Sequence, residues 1–405
     1  MHIEAKTEFI PLGTVTSPRG FHAGATYAGL KKKNDSALDL GILFSEVPCV
    51  ATAMFTTNRI KAAPVVLCQE RLQSGKAQAV VVNSGCANAC TGGQGLTDAA
   101  EMAELAAQGI GIPPEAVLVA STGVIGQSLP IELIRVSIKQ VVLSQDGGHE
   151  LEKAIMTTDT LPKEVAVRVD ESDFVIGGVT KGSGMIHPNL ATMLCFLTTD
   201  AAVEIDFLRL ALRKAVDVSF NMVSIDGDTS PNDMVLIMAN GLAGNEPISQ
   251  GSEQADVFQQ ALDQVCIHLA KCIARDGEGA SRLIEVTVYG APSMAEARLA
   301  ARTIVSSPLV KAAVYGGDPN WGRIMAAVGR SGVEVVESKI DLHIGDICLV
   351  RGGCPLPFDR EKVVAVLCSP EVPITLQLNL GTAAATAWGC DLSEEYVVIN
   401  SHYTT

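Results

Sequence analysis

Short apolar runs alternate along the chain with stretches in which apolar positions recur every three or four residues, and no fixed repeat unites them. This pattern predicts a mixed α/β fold and excludes a solenoid. AVVVNSG (79–85) predicts a buried strand that enters a glycine-rich loop. LTDAAEMAELAAQ (96–108) then predicts a helix opened by Thr97 and Asp98, with Glu101 in the first turn, before Pro113 and Pro114 stop the pattern. A second strand, AVLVAS (116–121), ends in the turn STGVIG, and Ile131, Leu133, Ile134 and Ile138 predict a helix over 130–144. Alternation on both sides of Asp170, Glu171, Ser172 and Asp173 predicts a hairpin over 164–179, which places Thr192 just past a sheet edge.

The second half keeps this style. Helices are predicted over 206–220, over 256–277 with Gly277 as terminator, over 294–306 and from Asp359 onward. Strands are predicted over 234–241 and 283–290, a hairpin within 334–350, a loop at GGDPNWGR (316–323) and a closing strand at ITLQLNLG (374–381). For the last residues, EEYVVINSHYTT, disorder is the default expectation. No linker rich in Pro, Gly or Ser separates the halves, so they are expected to share an interface.

Composition narrows the function classes. With 405 residues, 47% of them hydrophobic, the chain has ample material for two or three cored domains. A formal net charge of −15 repels phosphate backbones and anionic lipid, and no basic run exceeds Lys31-Lys32-Lys33, so nucleic acid is not an expected partner. Neither a presequence nor a long apolar span is evident, and a cytoplasmic location is expected. The 11 cysteines are scattered through apolar segments and read as free core thiols. Cys86/Cys90 and Cys266/Cys272 lack zinc-site spacing, DGDTSPND (226–233) lacks the ligand positions of an EF-hand, and no metal is assigned. DGDTSPND reads as an acidic turn. His187, just before Pro188, reads as a turn-shaping residue and only a weak candidate base.

One stretch invites chemistry: KGSGMIHPNLATMLCFLTTDA, residues 181–201. A threonine hydroxyl needs a base, and the sequence offers no evident histidine partner. If the Ala191–Thr192 peptide were cut, the freed amine of Thr192 would itself be that base, with an ordinary pKa of about 8 that desolvation lowers. Gly182, Gly184 and small Ala191 would permit the strained turn in which the hydroxyl attacks the preceding carbonyl. On local propensity alone, however, an ordinary strand start is the stronger reading.

The balance shifts with resemblance. TKGSGMIHPNLATMLCFLTTDA closely resembles the self-cleavage segment of the ornithine acetyltransferase family, the arginine-biosynthesis bifunctional glutamate N-acetyltransferases. VVNSGCANACTGG, STGVIG, IMTTDT, SIDGDTSPND, GDPNWGRI and YVVIN resemble further family segments in the same order, across essentially the whole chain. The resemblance implies a two-layered α/β fold of the N-terminal-nucleophile type. It implies cleavage into chains 1–191 and 192–405, assembled as two copies of each, with Thr192 as nucleophile. By the same resemblance Thr122 and Gly123 form the oxyanion hole. Thr158, Lys181, Thr192, Glu278, Asn400 and Thr405 contact substrate, with Thr157 an open alternative to Thr158. The implied reaction is ping-pong transfer of acetyl from N2-acetylornithine to glutamate through an acetyl ester on Thr192. No bound cofactor is implied, and acetyl-CoA stays open as a co-substrate. The GDPNWGR loop receives no role. Two alternatives stand beside this reading: an N-terminal-nucleophile aminopeptidase or amidohydrolase of related fold, and an uncleaved amino-acid-binding protein.

Overall fold

Apolar strands such as Met234–Ala239 and Phe174–Lys181, buried along their whole length, must be covered on both faces, and they lie inside a nine-stranded sheet. The computed structural model describes residues 6–31, 37–170, 173–187 and 193–402. The Ala191–Thr192 peptide and Thr405, both singled out in the sequence, lie outside the described residues, as do Glu171 and Ser172 of the hairpin turn.

The strand order of this sheet runs Thr7–Phe9, Glu164–Val169, Phe174–Lys181, Leu194–Thr199, Met234–Ala239, Leu40–Phe55, Lys76–Cys86, Val117–Val124, with Phe21–Thr26 also paired to Leu40–Phe55. Most neighbours are antiparallel, but Leu194–Thr199 runs parallel to Met234–Ala239, and Lys76–Cys86 parallel to Val117–Val124. Helices Ala63–Arg71, Gly92–Ile110 and Gly148–Ile155 cover one face. Helices Ile205–Val218 and Ala255–Arg275 cover the other and share a continuous apolar core with a second, seven-stranded sheet. Against the strands Leu283–Ala291 and Ala383–Cys390 of that sheet packs helix Met294–Val305. The halves are joined through this shared core, as the missing linker implied.

Several boundaries differ from the sequence reading, each for a packing reason. The helix expected from Thr97 begins at Gly92, because Asn88 and Cys90 adopt positive φ and turn the chain early. Gly95 lies inside it, where a Cβ would come 2.0 Å from the Thr91 hydroxyl, so a close approach overrides glycine's poor helix propensity. The helix predicted over 130–144 is regular only over Ile131–Ser137 and tightens to a 3₁₀ turn at Ile138–Gln140. Helix Ala255–Arg275 stops before Gly277, which is not left-handed; its missing Cβ instead gives room to the Cys390 thiol. Trp321 of the GGDPNWGR loop opens helix Trp321–Gly329. The expected 334–350 hairpin is confined to Asp341–Ile344 and Ile347–Arg351. Ala383–Cys390, interior to the second sheet, escaped notice because alanine is depleted in strands. Within the tail, Glu394–His402 is helical. All 11 cysteines are free thiols, but only six are buried: Cys90, Cys354 and Cys368 are exposed and Cys272 and Cys348 half-buried, so the reading of core thiols holds only in part.

Candidate active site

The parallel strands Lys76–Cys86 and Val117–Val124 end side by side with Gly85 opposite Gly123. Gly123 has φ +127°, and a Cβ there would sit 2.4 Å from the Gly85 carbonyl carbon, so only glycine allows this approach. Thr122 beside it is buried. Asn232 locks the same strand ends from another part of the chain, its Nδ2 donating to the carbonyls of Ala87 (2.6 Å) and Ser121 (2.8 Å). Both N–H bonds being spent on carbonyls fixes the amide orientation.

Strand Phe174–Lys181 delivers Lys181 opposite Leu194 of the following strand. Its side chain is buried, and burial pushes the ammonium below the usual lysine range, opposed chiefly by Asp159. Among the described residues no carboxylate pairs directly with it. Just beyond, the Ser183 hydroxyl shares a 2.7 Å hydrogen bond with Thr158, and the Ser183 carbonyl accepts from the Glu278 N–H at 2.8 Å. Gly184 brings the chain so near Glu278 that a Cβ would lie 2.5 Å from its carboxyl. Glu278 is buried, and its Oε2 accepts a 2.7 Å bond from Nδ2 of Asn400 on helix Glu394–His402.

The acidic turn 226–233 proves to be a clamp, a role that sequence reading missed. Asp226 accepts from the N–H groups of Met185 (2.5 Å) and Ile186 (2.9 Å), holding Met185 at φ 57°. Burial raises the Asp226 pKa. Asp233, fully buried, accepts from the Met193 N–H at 3.0 Å, and burial raises its pKa strongly, against the hydrogen bond from Met193 and the charge of Lys181. Its Oδ2 accepts no hydrogen bond among the described residues. A run of Asp, Asn and Ser around Gly and Pro reads as any surface turn; the segments these side chains clasp are distant in sequence, so no local signal marks them.

These elements enclose one cavity of about 220 Å³. Thr122, Gly123, Thr158, Lys181, Glu278 and Asn400, every sequence-predicted site residue within the described part of the chain, line it together. Thr157 lines it too, so the alternative at that position stays open. Tyr396, unanticipated, adds a phenol whose pKa is raised by burial and by the charge of Asp226. His187 does not line the cavity; its Nδ1 pairs with the Ser224 hydroxyl at 3.1 Å, and Pro188 after it lies outside the described residues. A buried lysine with no direct carboxylate partner among the described residues, a buried carboxylate and a sharply turned Thr-Gly backbone suit a small zwitterion undergoing acyl substitution.

A sequence profile of the ArgJ family matches residues 22–405. The chain belongs to the ArgJ family. The match extends end to end in individual relatives: the arginine biosynthesis bifunctional protein ArgJ of Dehalococcoides mccartyi is 52% identical over 405 residues, 100% of both chains. The ArgJ protein of Symbiobacterium thermophilum is 53% identical over 397 residues, covering 97% of this chain and 99% of that protein. Among solved structures, the arginine biosynthesis bifunctional protein from Bacillus halodurans is similar with TM-score 0.51 and 46% identity, covering 51% of this chain and 98% of its own. ArgJ-family membership accounts for the mixed α/β architecture and for the ordered recurrence of motifs along the chain.

Proposed function

We propose that this chain is an arginine-biosynthetic acetyltransferase that moves acetyl from N2-acetylornithine to glutamate by a ping-pong route. Thr192 attacks the acetyl carbonyl, the Thr122–Gly123 turn stabilises the tetrahedral oxyanion, ornithine leaves, and the glutamate amine takes acetyl from the Thr192 ester. The observation that carries this reading is the cavity in which buried Lys181, with no direct carboxylate partner among the described residues, and buried Glu278 share a wall with the Thr122–Gly123 turn. Lys181 meets the α-carboxylate common to donor and acceptor, Glu278 meets an ammonium, and Thr158, Asn400 and Thr405 complete the contacts.

Activation of Thr192 in this reading follows self-cleavage after Ala191, into chains 1–191 and 192–405 that assemble as two copies of each. Support comes from the Bacillus halodurans protein, whose solved chain matches about half of this one, whereas full-length relatives match it throughout. Acetyl-CoA enters, where used, as a second acetyl donor and not as a bound cofactor. No described helix is long and apolar enough to cross a membrane.

The test combines intact mass with turnover. Wild-type protein incubated with N2-acetylornithine should show two chains, with an acetyl mass on the peptide beginning at Thr192, and added glutamate should divert that acetyl to N-acetylglutamate rather than to water. Thr192→Ala should remain one full-length chain and transfer nothing. Substantial transfer by that variant would remove the covalent route, and release of acetate unaffected by glutamate would make the protein a hydrolase.

A further inference from the structure

Behind the cavity, and outside the residues assigned above, lies a fully buried group of charges. The side chains of Asp159, Lys163 and Asp276 are each at most 5% exposed. Lys163 Nζ reaches Asp159 Oδ1 at 2.7 Å and Asp276 Oδ2 at 2.5 Å. Each carboxylate also grips backbone: Asp159 accepts from the N–H groups of Gly182 (2.6 Å) and Thr157 (2.9 Å), and Asp276 from that of Thr160 (3.0 Å). Asp276 stands two residues before Glu278. The triad therefore ties together the three segments that carry Thr158, Lys181 and Glu278.

Triads of this kind gain little stability over a well-packed apolar replacement, so their presence next to a cavity asks for another reason. Lys181 supplies one. Its ammonium is buried and has no direct carboxylate partner among the described residues, so within them its charge depends on fields from further away. The charged and titratable groups that act on it are Asp159 on the loop before strand Glu164–Val169, Lys163 beside that carboxylate, Asp233 at the start of strand Met234–Ala239, Glu278 after helix Ala255–Arg275, and Lys31 from the N-terminal region. Burial drives the lysine toward neutrality, Asp159 is its largest counterweight, and Lys163 opposes. Asp233 helps little because its own burial favours the neutral acid. Asp159 itself is held below the usual carboxylate range, since Lys181 and Lys163 outweigh its desolvation.

We propose that Asp159 is the positioning residue of the carboxylate subsite: it fixes the Thr157–Thr158 turn against the Lys181–Gly182 strand end and supplies the negative charge that keeps the Lys181 ammonium ready for a substrate carboxylate. The proposal rests on the acetyltransferase reading and goes beyond it by assigning a residue that touches no substrate. Lys163 and Asp276 hold Asp159 in place and carry the same alignment on to Glu278.

The test measures KM for glutamate, kcat, and ornithine binding by calorimetry, between pH 6 and pH 9.5, in mature wild type and in Asp159→Asn, Asp159→Glu and Lys181→Met. Asp159→Asn removes the charge at nearly constant shape. Its KM should match wild type within a few fold at pH 6 and exceed it about 10- to 100-fold at pH 9, with kcat within a few fold. Lys181→Met should show a raised KM that does not change with pH. Asp159→Glu keeps the charge but displaces it, so KM should rise without new pH dependence. A pH profile of Asp159→Asn parallel to wild type, or a loss in kcat at constant KM, overturns the proposal. Should Asp159→Asn be recovered only unfolded, Asp159→Glu decides: wild-type KM in that variant means the exact placement of the carboxylate is irrelevant and the proposal fails. Failure of the acetyltransferase reading would instead appear in wild type, as absent transfer and absent ornithine binding.

Discussion

At Gly123 the demand on a single residue is unusually clear. Its φ of +127° and a would-be Cβ 2.4 Å from the Gly85 carbonyl carbon leave no room for alanine without separating the two strand ends. Gly123→Ala should lose roughly 100-fold or more in kcat, as expected for removal of an oxyanion donor, with a stability cost of about 2–4 kcal/mol. Steady-state kinetics beside thermal unfolding checks both. STGVIG showed in sequence that a turn with glycine stood there, but not that Gly85 faced it, because the contact is made by two strands paired in the sheet. The Lys181 case is similar. A lone lysine at a strand end is normally solvated, and only packing by residues far along the chain reveals its burial.

Among the elements, the C-terminal helix Glu394–His402 and the 226–233 clamp show how little local pattern says about some working parts. The helix has no buried residue, yet Asn400 reaches the Glu278 carboxylate at 2.7 Å and Tyr396 lines the cavity. A chain ending at Ser393 should keep its fold, with the melting temperature lowered by less than about 3 °C, while KM for acetylornithine rises at least about 10-fold. A melting temperature that falls with activity in step would show that the helix is structural. Strands with continuous apolar runs, such as Met234–Ala239, were legible from their pattern. Ala383–Cys390 was not, because its place inside a sheet comes from pairing with Leu283–Ala291 rather than from its own propensity. The same holds for the helix start at Gly92, where steric need reverses the usual preference.

For the whole molecule, the buried charges beneath the site make stability depend on pH. Glu152 is fully buried, its Oε1 accepts from the Lys163 N–H at 2.9 Å, and its Oε2 accepts no hydrogen bond among the described residues. Burial, reinforced by the charge of Asp159, pushes its pKa up to about 8, against the Lys163 N–H. A carboxyl whose folded pKa lies above its unfolded value of about 4.5 favours folding fully below that lower value, and this contribution is lost as pH rises through about 8. Glu152→Gln keeps an acceptor for Lys163 and cannot ionise. Its unfolding free energy relative to wild type should therefore rise by about 3 kcal/mol between pH 5 and pH 8, measured by denaturant titration at each pH. A constant difference across that window would show that Glu152 does not titrate there.

The sequence by itself determined the alternation of helices and strands and the ArgJ-type order of motifs, and motif resemblance named the candidates Thr122, Gly123, Thr158 (with Thr157 open beside it), Lys181, Glu278 and Asn400, since periodicity and motif are properties of neighbours along the chain. Tertiary structure decided that these six share one cavity, that Asn232 and Asp226 brace it, and that Asp159 lies behind Lys181 with Lys163 and Asp276 around it. Burial and charge fields depend on distance in space, and a separation of 113 residues between Lys163 and Asp276 closes to 2.5 Å only when the sheets and helices pack.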